Sequence, residues 1–407
     1  MPHTNSMAIG IWISAGSRDE TDQEHGVAHM LEHMAFKGTE RRDAETIARQ
    51  VEDIGGFINA HTSREETAYY IRLLPDHLDF ALDLLVDILT SSTLPDMEIA
   101  REKGVIIQEI GQANDTPDDV VFDQFQGLCF PGHSAGRPIL GTTESVNRFG
   151  RDDLSGFMDR YYGTENMIIS AAGQINHDDL VRRVDAIEAS LTRKVVKPKR
   201  VAPRWPEMRD LRQDVLVRDL EQTHLVFGWP AFSWDDPDRW PLLALSILYG
   251  GGMSSRLFQE VREKRGLCYS VFSFGQMLSD HGVFGVYAGT DADDANELIR
   301  VACGELAALS QHTLDEELAR AKAQMRSSLL MGGESVMRVC EKMPRQWIQY
   351  GELKDTASQL SAIDNIDVTA IEKVTERLIK GDPVIAAIGD KRAKSIMPAD
   401  EMAVLLK

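Results

Sequence analysis

Val51-Glu52-Asp53-Ile54-Gly55-Gly56-Phe57-Ile58-Asn59-Ala60 reads as the end of a helix, a two-glycine stop and the start of a strand. The same order of features returns 210 residues later, at Val261-Arg262-Glu263-Lys264-Arg265-Gly266-Leu267-Cys268-Tyr269-Ser270. Two further matches keep the order. Ala100-Arg101-Glu102-Lys103 lies over Ala319-Arg320-Ala321-Lys322 at an offset of 219, and Ile168–Gly173 lies over Val384–Gly389 at 216. Three matches in one order with a drifting offset predict two copies of one domain separated by small insertions.

Around the first copy the pattern predicts a strand at Met7–Ser14 and a helix from about Asp22 to Lys37 that Gly38 stops. Helices follow at 44–54, 76–90 and 96–112, with bent or paired strand over 57–73 and a strand at 167–172. Strands interleaved with helices predict an α+β fold, each domain a largely antiparallel sheet covered by helices. Residues 193–212 hold eight bases, two acids and three prolines, and read as a linker. The expected organisation is therefore a first domain over 1–192, a linker over 193–212 and a second domain over 213–407.

The 407 residues carry 64 acids against 44 bases, a net charge of −20. Residues 1–190 hold 33 acids and 15 bases, so −18 of that charge sits in the first half. This balance argues against nucleic-acid binding through a basic surface. No apolar run approaches the ~18–20 residues of a membrane helix, and no secretory leader is visible. Cys129, Cys268, Cys303 and Cys340 show no paired spacing and read as reduced thiols. The cytoplasm or another reducing soluble compartment is the expected location.

His29-Met30-Leu31-Glu32-His33 carries the chemistry. On a helix His29 and His33 stand one turn apart, with Glu32 beside them. Two imidazoles so spaced can share a zinc ion, for which a catalytic site needs a third protein ligand. Glu32 is placed to accept a proton from water. Glu102 and Glu109 are seven residues apart and share a face of a helix that Val105, Ile106, Ile107 and Ile110 make apolar. A carboxylate there is costly unless paired, protonated or on a metal, so Glu109 can complete a His-His-Glu set with Glu102 as a neighbouring acid or hydrogen-bond acceptor.

These motifs make the chain resemble the pitrilysin (M16) family of zinc metallopeptidases, in the short two-domain form of the mitochondrial processing peptidase β-subunit. The resemblance rests on His29-x-x-Glu32-His33 before Phe36-Lys37-Gly38-Thr39, then Asn59–Glu65, Glu102 and Glu109. Arg137–Thr142, Tyr161-Tyr162 through Asn166, and Ser255-Arg256-Leu257 through Tyr269 extend it over essentially the whole chain. It implies one zinc on His29, His33 and Glu109, with Glu32 as general base and Glu102 supporting catalysis. Asn59 and Ala60 resemble the edge strand that pairs with an extended peptide. Arg262 and Tyr269 resemble a pair that reaches substrate or stabilises an oxyanion. Asp119 and Asp123 match an acidic pair that holds a basic side chain near the scissile bond.

The resemblance further implies a clamshell of two domains, peptide substrates and a homodimer. The second copy has no HxxEH, and offset 219 sets Ala321 and Ser328 against Glu102 and Glu109, so it reads as non-catalytic. One departure is that the family's edge strand before Met7–Ser14 has no counterpart here. The rival expectation is a core or assembly subunit like those of the respiratory cytochrome bc1 complex.

Overall fold

The computed structural model describes residues 1–406 except 2, 192, 208, 209 and 211, with the side chains at 189 and 190 also left aside. In chain order, β1 (Met7–Ile13) leads to α1 (Val27–Met34), α2 (Ala44–Asp53), β2 (Phe57–Thr62), β3 (Thr67–Leu73), α3 (Leu78–Thr90) and α4 (Asp96–Asp115). There follow α5 (Pro117–Cys129), α6 (Thr143–Arg148), α7 (Arg151–Tyr161), β4 (Met167–Gly173) and α8 (His177–Leu191). The second half runs β5 (Gln213–Val217), β6 (Thr223–Ala231), α9 (Arg239–Gly250), β7 (Cys268–Met277), β8 (Gly282–Thr290), α10 (Ala295–Leu309) and α11 (Asp315–Gly332). It closes with α12 (Val336–Tyr350), α13 (Thr356–Asp364), α14 (Val368–Ile379), β9 (Val384–Gly389) and α15 (Ala399–Val404).

The two sheets repeat one topology. The first is ordered β2-β3-β1-β4 and is wholly antiparallel. In the second, β7-β8-β6-β9 has the same order and sense, and β5 adds a parallel strand beyond β9. The α+β reading and the internal repeat are thus both present in the structure. The glycines have a physical role, one residue out of step with the sequence match: Gly55 and Gly266 each adopt φ +65° two residues before an edge strand begins. Only glycine takes that left-handed turn without strain.

The compact units are discontinuous in sequence, where the expected domains were contiguous. One comprises Met1–Gln112, Arg137–Arg200 and Met331–Leu353; the other comprises Ala113–Gly136, Val201–Leu330 and Lys354–Lys407. Packing explains the exchange. In the first unit, one sheet face carries the large core of α1, α3 and α7, including Met30, Leu31, Leu85 and Phe157. The opposite face, with Ala8, Trp12, Ala68 and Ala172, is covered by Val336 and Cys340 of α12, a helix from the second half of the chain. Ser170 donates its hydroxyl to the Cys340 carbonyl at 2.8 Å, tying β4 to that helix. In the second unit the corresponding face, with Val226, Val283 and Ile388, is covered by Val121, Phe125 and Leu128 of α5 from the first half. A sheet with two apolar faces needs a layer on each, and each copy draws one of these layers from the other half of the chain.

The expected linker splits between the units at Arg200. That guanidinium donates to Asp19 at 2.8 and 2.9 Å and to the carbonyls of Ser14 and Glu65, all in the first unit. Residues 208, 209 and 211 of the expected linker lie outside the described residues.

The helix expected over 22–37 is shorter than its pattern. Short 3-10 turns occupy Ser17–Asp19 and Asp22–Glu24, and α1 begins only at Val27. Gly26 stands at φ +94°, and a Cβ there would lie 2.8 Å from the Gly141 Cα. The Glu20 carboxylate accepts the N–H groups of Gly26 and Ala28, both at 2.9 Å, and so occupies donors exposed at the helix start. At the other end α1 stops at Met34, with Ala35 as its C-cap, so Gly38 at φ +128° is not the expected stop but turns the chain four residues later. Among the described residues no helix is long and apolar enough to cross a membrane.

Trp12 is fully buried between its sheet and α12. Trp12→Ala is expected to cost about 3–5 kcal/mol, read as a lower denaturation midpoint in urea with the slope unchanged.

Candidate metal centre

The eight-residue α1 buries Val27, Met30, Leu31 and Met34 and leaves His33 and Glu32 half-buried on its other side. His29 and His33 sit one turn apart with ring centroids 4.7 Å apart. The long α4 brings up Glu109, whose Oε2 lies 3.8 Å from His29 Nε2 and 3.4 Å from His33 Nε2. Donor atoms of these three residues all fall within 4.8 Å of one another. Tetrahedral ligands at ~2.0–2.1 Å from zinc stand about 3.3 Å apart, so two imidazoles and a carboxylate so spaced fit that ion.

Electrostatics favour the ligand form. Burial, and then the charge of His33, lower the His29 pKa to about 4, which keeps its imidazole neutral at physiological pH. His33 turns its other nitrogen, Nδ1, to Glu102 Oε2 at 3.0 Å. Glu102 is 2% exposed, and its second oxygen meets Lys37 Nζ at 2.7 Å. Glu32 differs: among the described residues no hydrogen bond or ion pair engages its carboxylate. The buried phenols of Tyr69 and Tyr162, bonded to each other at 3.1 Å, lie close enough to feel its charge. Burial is the main cause of their raised pKa values, Tyr162 to about 12, so both remain neutral beside Glu32.

Asn59 and Ala60 lie on β2, the outer strand of the first sheet, which pairs only with β3 among the described residues. Ala60 is buried and Asn59 exposed, with the Asn59 side chain accepting the Ala60 N–H at 2.9 Å. Behind the strand stands a group that the sequence reading missed. Arg345 of α12 donates to Glu66 at 2.6 Å and contacts His61 Nε2 at 3.2 Å. Its segment lies 279 residues beyond Glu66 and carries no local signal of this partnership.

The remaining candidates belong to the second unit. Arg262, on the π-helical turn Phe258–Glu263, stacks over Phe258 at 4.6 Å and over Tyr269 at 5.3 Å. Its neighbours Lys264 and Arg265 both pair with Glu260, whereas Arg262 has no carboxylate partner among the described residues. Tyr269 is 74% exposed at the mouth of a recess of about 410 Å³ lined also by Asp118, Phe272 and Tyr287. Asp119 and Asp123 are exposed, one turn apart on α5. The counterpart of α1 in this unit is α9, which has no histidine.

The first unit thus carries an inverted His-x-x-Glu-His helix, and the second repeats the sheet with a corresponding helix that has no histidine. Residues 1–143 match the model of insulinase, peptidase family M16, and residues 148–325 match that of the peptidase M16 inactive domain. A Rickettsia bellii protein named an uncharacterized zinc protease is 37% identical over 390 residues, covering 96% of this chain and 93% of that one. The chain belongs to peptidase family M16. The crystal structure of a protease from Helicobacter pylori superposes with a TM-score of 0.85 at 24% identity, over 95% of this chain and 94% of that one. A chain of complex III2 from Candida albicans shares the fold, with a TM-score of 0.85 at 20% identity over 100% and 95% of the two chains.

The Glu66 side chain is 10% exposed and Arg345 supplies its cationic partner. Arg345→Ala is expected to lower stability by about 2 kcal/mol, measured by urea denaturation, because it leaves a mostly buried carboxylate with His61 alone.

Proposed function

We propose that this chain is a zinc-dependent endopeptidase acting on peptides or unfolded segments, with His29, His33 and Glu109 holding one zinc per chain. The convergence of His29 Nε2, His33 Nε2 and Glu109 Oε2 beside the Glu32 carboxylate, unpaired among the described residues, carries this reading. The zinc-protease names of relatives that span nearly the whole chain support it. Bound there, zinc supplies Lewis acidity and draws the pKa of a water toward ~7.

The protein's own groups have separate tasks. Glu32 takes the proton of the attacking water and returns it to the leaving amine. Glu102 orients His33 through Nδ1. The open edge of β2 at Asn59 and Ala60 accepts an extended peptide through main-chain hydrogen bonds. Arg262 and Tyr269 contribute donors to the substrate carbonyl from the second domain, which is the non-catalytic copy. Asp119 and Asp123, within the acidic half of the chain, favour basic or Arg-bearing substrates. Two copies pair as a homodimer.

Replacing Glu32 separates this function from the rival assembly role. Glu32→Gln is expected to keep zinc, measured by metal analysis, and to lower turnover of an unstructured Arg-containing peptide by about 10²–10⁴-fold. Equal turnover in both proteins sinks the mechanism. Wild-type protein with neither zinc nor turnover favours a core or assembly subunit. The acidic half adds a salt test: raising ionic strength should increase KM for basic peptides more than for neutral ones of equal length.

A further inference from the structure

We infer that Lys37 is a positioning residue for the metal centre, acting through Glu102 on His33. This rests on the zinc reading above and adds to it a residue outside the ligand set. The geometry is a relay of three side chains. Lys37 Nζ lies 2.7 Å from Glu102 Oε1, and Glu102 Oε2 lies 3.0 Å from His33 Nδ1. The opposite nitrogen of His33, Nε2, faces Glu109 at 3.4 Å. Glu102 therefore has both oxygens engaged, one by a cation and one by the imidazole.

Local structure sets up this contact. Lys37 follows α1 in the turn whose backbone N–H bonds the Met34 carbonyl at 3.1 Å, and Gly38 at φ +128° carries the chain away beyond it. That turn leaves the lysine one helical repeat after His33, with its ammonium on the same carboxylate. The Glu102 side chain is 3% exposed, against 28% for Lys37, so the lysine closes the solvent side of a nearly buried acid. A buried carboxylate held between a donor imidazole and an ammonium has one orientation available. Truncating either partner leaves it uncompensated and free to swing.

The effect reaches the metal because an imidazole whose far N–H is held by a carboxylate is fixed in tautomer and ring angle, and is a better ligand. Losing such an outer partner weakens metal binding by about 10–100-fold. Lys37 is one step further out, and its contribution passes through the orientation of Glu102.

The experiment is a zinc competition titration against a chromophoric chelator on the full chain. It compares wild type, Lys37→Met, Lys37→Arg, Glu102→Gln and the Lys37→Met/Glu102→Gln double variant. Lys37→Met is expected to weaken zinc binding about 10-fold, within the range for such outer partners. Lys37→Arg restores most of the loss. In the Glu102→Gln background, Lys37→Met adds nothing further, which a general effect on folding would not produce. Should Lys37→Met misfold by circular dichroism, Lys37→Gln and the arginine variant carry the same comparison. Zinc binding as tight as wild type in Lys37→Met, or additive losses in the double variant, overturns the proposal alone. A wild type that takes up no zinc overturns the metal-site reading as well.

Discussion

A carboxylate out of water needs both its oxygens occupied, and the metal centre is organised by one such group. Glu102 sits on the inner face of α4 with His33 of α1 on one oxygen and Lys37 on the other. This links the two helices at the level of the candidate ligands. Glu109, two turns further along the same helix, is thereby delivered opposite both imidazoles. The apolar residues of α4 give the helix its depth, and the acid that would otherwise be a penalty gives it its register.

The short helix α1 can serve this purpose because both ends are fixed by groups outside it. Glu20 and the close approach of Gly141 to Gly26 hold its start, and the turn bonds from Phe36 and Lys37 back to His33 and Met34 follow its end at Met34. Burial raises the Glu20 pKa to about 8 against the opposing pull of the Gly26 and Ala28 amides. An eight-residue helix has little stability of its own. Its geometry comes from these anchors and from the sheet beneath.

The second architectural constraint is the outer face of each sheet. Trp12, Ala68 and Ala172 make the first sheet apolar on both sides, and α12 supplies the missing layer. The same helix brings Arg345 to Glu66 behind the edge strand β2. A helix whose evident task is to cover a sheet thus also braces the strand proposed to receive a peptide. The second unit repeats the arrangement with α5, which carries Asp119 and Asp123 on its exposed face.

Much of this was legible in the order of residues. The HxxEH spacing, the seven-residue interval from Glu102 to Glu109, the glycine stops and the drifting repeat are local signals. Helical periodicity and the conformational freedom of glycine turn them directly into structure. The sequence by itself therefore determined two copies of an α+β domain and a His-His-Glu candidate in the first. Only the tertiary structure decided which helix covers which sheet face, that α1 starts at Val27, and that Lys37 and Arg345 find their carboxylates. Those outcomes depend on apolar faces and charges distant in the chain, and an amphipathic helix such as α5 or α12 encodes its need for a partner without naming it.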